Sequence, residues 1–104
     1  MNEEGLALKV DDRDNVATVF SNEVIAGSCI YVRDKKGNQE KIEVRSDIPF
    51  GHKVALEDIS QGTRIMKYGE CIGAASHDIK KGDYVHVHNL EALRGRGDLN
   101  GQED

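Results

Sequence analysis

Tryptophan is absent from this 104-residue chain and aromatic residues make up only 5% of it. The interior therefore has to be built on Val, Ile and Leu rather than on large rings. No run approaches the ~20 consecutive apolar residues that a membrane helix requires. No secretory leader opens the sequence either, so a cytoplasmic protein without a membrane segment is expected. Cys29 and Cys71 are the only cysteines. They lack the close spacing of a zinc knuckle or a redox dithiol, and each is expected as a small buried hydrophobe. A disulfide is disfavoured in a reducing compartment. Basic residues are outnumbered, 14 against 19 acidic, for a net charge of −5. That argues against a nucleic-acid partner, whose binding draws on Lys and Arg. A serine nucleophile elbow, a Cys–His nucleophile signature, a phosphate loop and a Glu-rich metal helix are all missing. The sequence offers no self-sufficient catalytic apparatus.

What is present is a repeated phrase. Asp47-Ile48-Pro49-Phe50-Gly51, Asp58-Ile59-Ser60-Gln61-Gly62 and Asp78-Ile79-Lys80-Lys81-Gly82 all read Asp-Ile-x-x-Gly. Each leads into an alternating apolar segment, so each is read as a turn feeding a strand. Gly51, Gly62 and Gly82 are expected in left-handed conformations, with the leading Asp closing its own turn by accepting an N–H two or three residues on. Leu6, Leu8 and Val10 alternate with Ala7 and Lys9 as a half-buried strand. Val16 to Phe20 reads as a strand or as a short helix capped by Asp14 or Asn15; its β-branched residues favour the strand. Ile30 to Val32 and Lys41 to Val44 form a hairpin around Gly37-Asn38. Pro49 and Gly51 speak against a helix over 46–57. The expectation is one all-β domain over 6–90, between a frayed N-terminus (1–5) and a flexible tail or linker (91–104). A domain of this length hides roughly 65% of its unfolded surface, enough for one core.

The sharpest local chemistry is Tyr84-Val85-His86-Val87-His88-Asn89. On a strand, Val85 and Val87 would face the core while Tyr84, His86 and His88 project together. Two imidazoles at that spacing can present nitrogens to one divalent metal or clamp a polyol or carboxylate, and Asn89 adds an amide. The plainer reading is a solvated strand face. His52 and Lys53 leave a turn where an anion or partner contact is available, against the alternative of an ordinary turn in solvent. His77 reads as structural or solvated, Glu70 as a turn carboxylate or a contact, and Arg94 and Arg96 as linker residues.

Four stretches carry a resemblance: Asp14-Asn15-Val16-Ala17, Gly51-His52-Lys53-Val54-Ala55-Leu56 with Asp58-Ile59, Lys67-Tyr68-Gly69-Glu70 with Ile72-Gly73, and His86-Val87-His88-Asn89. In that order, over about residues 6–98, the chain resembles the N-terminal SAF domain of the altronate and galactarate dehydratase family. It is also similar to the family's free-standing small subunits, such as the alpha subunit of sulfolactate sulfo-lyase. The resemblance implies a compact β-clip, a bent two-stranded ribbon folded over on itself. It further implies a lyase that removes water, or sulfite in the sulfo-lyase branch, from a sugar acid to give a 2-keto acid. A divalent metal (iron, manganese or magnesium), a large catalytic domain or subunit as partner, and an oligomeric assembly go with it. The catalytic and metal-binding candidates are then His86 and His88, and the substrate-binding candidates His52, Lys53 and Asn89. Two other classes remain open. SAF-like domains also act as binding modules, as in the antifreeze-like tail of sialic acid synthases and in pilus-assembly chaperones, and the domain could be purely architectural.

Overall fold

β-Branched residues dominate the apolar segments and glycines punctuate them, and the chain answers with short strands joined by tight corners. The computed structural model describes residues 5–92. Its strands are β1 (Gly5–Lys9), β2 (Val16–Val19), β3 (Cys29–Asp34), β4 (Gln39–Glu43), β5 (Lys53–Ala55), β6 (Arg64–Lys67), β7 (Glu70–Ala75), β8 (Tyr84–Val85) and β9 (Leu90–Glu91). They form a six-stranded sheet in the order β4-β3-β1-β2-β5-β8 and a three-stranded sheet, β6-β7-β9. Of the strand pairs among the described residues, β1–β3 alone is parallel. Among the described residues there is no helix, so none long and apolar enough to cross a membrane. The all-β expectation holds, and Val16 to Val19 is a strand rather than a capped helix. Gly5, expected in the frayed terminus, begins β1, and Glu91, expected in the tail, ends β9. Met1–Glu4 and the rest of the expected tail, with Arg94 and Arg96, lie outside the described residues.

Two apolar clusters lie on opposite faces of the larger sheet. One gathers Ala7, Ala17, Val19, Ile30, Val32, Ile42 and Val54; the other Val16, Ala55, Ile59, Ile65, Ile79 and Val85. The strand pair β2–β5 serves both, because alternate residues point to alternate faces. The buried apolar residues are Ala, Val and Ile, whereas leucines only pack against the rims. That corrects the expected share of Leu, and in β1 it is Ala7 that is fully buried while Leu6 and Leu8 are half-buried. β1 is hemmed in by a strand on either side, and an alanine there lets the packed layers approach closely. The cysteines are corrected too: Cys29 is half-buried and Cys71 exposed. Cys71 sits just past the β6–β7 hairpin turn, where the strand's outward positions are not covered.

The repeated phrase proves to be fourfold. Ile25–Ser28, Pro49–His52, Ser60–Thr63 and Lys80–Asp83 are each closed by a bond of 2.9–3.1 Å from the fourth residue's N–H to the first residue's carbonyl. The third residue is glycine every time, at φ between 83° and 92°. This is the type II pattern, in which glycine avoids the steric cost of the left-handed region. The first copy, Glu23-Val24-Ile25-Ala26-Gly27, lacks the Asp-Ile signature, and Glu23 itself sits at φ 61°. The corners work in pairs, bridged at Val24–Ile48 and at Ile59–Ile79. The leading aspartates do not close their own turns as expected. Asp47 accepts the Ala26 N–H (2.9 Å), Asp78 that of Gln61 (2.8 Å) and Asp58 that of Lys81 (3.0 Å). Each carboxylate caps the opposite corner, so the pairs are stitched across the fold.

Asp14 and Asn15 join the two sheets. The Asn15 amide accepts from Met66 N–H (2.7 Å) and donates to the Arg64 carbonyl (2.9 Å). Asp14 is buried and accepts from the N–H groups of Val10, Asp11 and Gly69. Gly69 and Tyr68, at φ 78° and 58°, are the two central residues of the β6–β7 hairpin, the conformation of a type I′ turn.

Candidate functional site

β8 ends at Val85, and His86-Val87-His88-Asn89 is a turn rather than a continued strand. Val87, expected in the core, is 79% exposed. The chain has to leave the larger sheet here in order to enter β9 of the smaller one, so the alternation stops. Asn89 makes the corner: its N–H donates to the His86 carbonyl (3.0 Å), its Oδ1 accepts the His86 N–H (3.0 Å), and its Nδ2 donates to the Tyr84 carbonyl (2.9 Å). It is buried, and its side chain is engaged with this backbone.

His52 reaches the same place from the second glycine corner. Its carbonyl accepts the Val19 N–H (2.8 Å), which fixes it at the head of β5. The Tyr84 hydroxyl lies 2.7 Å from His52 Nδ1. That bond engages Nδ1 whichever partner donates, so Nε2 is the free nitrogen of His52. The His52 and His86 rings are 4.7 Å apart between centroids, and the Tyr84 and His86 rings lie 5.6 Å apart and nearly parallel, at 9°. His88 touches the Tyr84 ring from 5.3 Å. The imidazoles in ring contact are thus His52 and His86, with Tyr84 as the common neighbour of all three histidines. Sequence spacing singled out His86 and His88 instead, because it sees separations along one strand and not the pairing of β5 with β8.

Partial burial, and then the charges of His52, Lys53 and His88, hold the His86 imidazolium below the ordinary imidazole value. His86 is consequently neutral at neutral pH and able to accept a proton. Lys53 leaves β5 on the opposite face from His52 and Val54, opposite Thr18 and Val85 in register. Its own value is lowered by burial and by the facing Lys67 ammonium. The protonatable groups thus gather on the His52 face of β5, and Lys53 lies on the other. His77 is exposed and 3.2 Å from the Ser76 hydroxyl, and Glu70 is exposed in the hairpin; neither joins the cluster.

Among the described residues no group of three or more His, Cys, Asp or Glu side chains is placed to hold a metal ion. His52 and His86 are two imidazoles without a neighbouring carboxylate or thiolate, so these residues do not amount to a complete divalent-metal site. A catalytic zinc, for comparison, takes three protein donors and a structural one four.

Comparison with known proteins places this geometry in context. The family described as altronate/galactarate dehydratase SAF domain matches residues 6–93. Over 50 residues (48% of the chain and 10% of the relative) the sequence is 54% identical to altronate dehydratase of Bacillus subtilis strain 168. Over 86 residues it is 35% identical to the alpha subunit of (2R)-sulfolactate sulfo-lyase of Chromohalobacter salexigens, covering 81% of the chain and 90% of that subunit. Altronate dehydratase of Escherichia coli K12 is 37% identical over 82 residues, 79% of the chain and 15% of that enzyme. The chain thus spans 10–15% of the length of these two dehydratases but most of the sulfo-lyase subunit.

Proposed function

This chain belongs to the altronate/galactarate dehydratase SAF domain family, and from that premise we propose that it is the small part of a sugar-acid lyase, lending its imidazole cluster to a site completed by a large catalytic domain or subunit. The observation that carries the proposal is the contact of His52, Tyr84 and His86 at a sheet-to-sheet corner. A dehydration of this class moves two protons. A base takes the proton from the carbon bearing the carboxylate, and the hydroxyl on the next carbon leaves as water after receiving a proton. The resulting enol then becomes the 2-keto-3-deoxy acid. Neutral His86 can accept the first proton, and the Tyr84–His52 pair can donate the second through His52 Nε2. The divalent metal implied by the family is assigned to the companion, because the donors here are too few. A cytoplasmic, oligomeric assembly with that companion belongs to the same reading.

Similarity along most of a sulfo-lyase alpha subunit supports a second reading, in which sulfite is the leaving group. The test is to co-express the chain with its large companion and assay altronate, galactarate and sulfolactate for 2-keto acid and sulfite. His86→Ala and His52→Ala should each lower turnover by about 10²-fold or more, the usual weight of a general acid or base. Unchanged turnover in the double variant would leave the domain a binding or architectural module.

A further inference from the structure

On the side of β5 away from His52, Thr18, Lys53, Lys67 and Tyr68 come together. Thr18 and Lys53 face each other in register across β2 and β5. Lys67, from the smaller sheet, is close enough to Lys53 for their charges to oppose one another, and its Nζ rests 4.8 Å from the centre of the Tyr68 ring. The Thr18 side chain is buried at 5% exposure, and its hydroxyl has a single weak contact, the Tyr68 hydroxyl at 3.5 Å. Among the described residues no carboxylate pairs with Lys53 or Lys67, although acidic residues outnumber basic ones along the chain.

We propose that Thr18, Lys53, Lys67 and Tyr68 form a subsite for the carboxylate of a small organic acid on the face of β5 away from His52. Two ammonium groups held together without a counter-ion are relieved by one carboxylate between them, and two under-used hydroxyls supply donors to its oxygens. A plain polyol would leave the ammonium pair uncompensated, and the ligand class is therefore acidic. A small hydroxy acid is the natural probe because the lyase reading supplies one; the carboxylate site itself does not rest on that reading.

The full chain is titrated with D-glycerate, glycerol, glyceramide and inorganic phosphate while backbone amide NMR signals are followed. Saturable shifts at Thr18, Lys53, Lys67 and Tyr68 are expected with glycerate and not with glycerol or glyceramide. Lys53→Met and Lys67→Met should each weaken glycerate binding about tenfold, the weight of one charged hydrogen bond, while Lys67→Arg should retain it. No saturable shift, equal shifts with glycerol, binding unaltered in both Met variants, or phosphate binding as tight as glycerate would each overturn the assignment. Binding is read here without turnover, so loss of this subsite and loss of the acid–base role of His86 are separate results.

Discussion

His86 is held neutral by partial burial and by the positive groups around it, and its titration links the site to the stability of the domain. A histidine whose value is lower folded than unfolded binds fewer protons in the native state. Its contribution is therefore complete above the unfolded value, about 6.5, and is lost as pH falls through the lower folded value. Acidification from pH 7.5 to 5.5 should reduce the urea midpoint of the wild-type chain by more than that of His86→Ala. Equal loss in both proteins would show that His86 is not the residue responsible. At this scale the sequence identified His52, Lys53, Tyr84 and His86 as chemically interesting but not their partners. The His52–Tyr84 bond spans 32 positions, and no spacing rule reaches that far. Val87 misled for a related reason. Its alternation with Val85 has a strand period, and only the crossing between sheets, fixed by the Asn89 side chain, explains why that period is broken.

Among the elements, the glycine corners are alike in φ and unlike in surroundings. A Cβ on Gly62 would point into open space, whereas one on Gly82 would run into the carbonyl oxygen of Glu43. Gly62→Ala should therefore cost only the strain of a left-handed alanine, about 1 kcal/mol. Gly82→Ala adds a backbone collision that has to be relieved by moving β4, and should cost upwards of about 3 kcal/mol. Thermal or urea unfolding of the two variants checks the ranking, and equal losses would mean that β4 yields without cost. Three corners were legible because Asp-Ile-x-x-Gly recurs at short range. The kinship of the fourth with these three was hidden by Glu23-Val24, which keeps the apolar second position and the glycine but not the aspartate. The carboxylate caps were legible as caps but not as cross-links, because local sequence cannot say which corner will face which. The turn at Glu70 was readable from the sequence. The approach of Lys67 toward Lys53 was not, since it depends on how the smaller sheet docks on the larger.

At the scale of the molecule, β2 and β5 each bury alternate residues in two different clusters, so neither cluster can open without exposing the backs of those strands. Val54 belongs to one and Val85 to the other, both fully buried. Asn15 reinforces the coupling, since its amide is bonded to Met66 and Arg64 of the smaller sheet while its own carbonyl accepts from Leu56 beyond β5. The domain should therefore unfold as one unit. Val54→Ala and Val85→Ala each remove two buried methyl groups' worth of packing, about 2 kcal/mol apiece. Both should move a single transition seen identically by far-UV circular dichroism and by tyrosine fluorescence. Asn15→Ala leaves the Met66 N–H and the Arg64 carbonyl without their side-chain partner and should cost about 2–4 kcal/mol, more than an exposed asparagine would. Its transition should stay single, because the two clusters share β2 and β5. If Asn15→Ala instead splits the melt into two steps, with β6–β7–β9 lost first, the shared strands are not enough to couple the clusters. The joint between the sheets would then rest on that one side chain, and the alignment of Lys67 and Tyr68 against Lys53 would rest on it too.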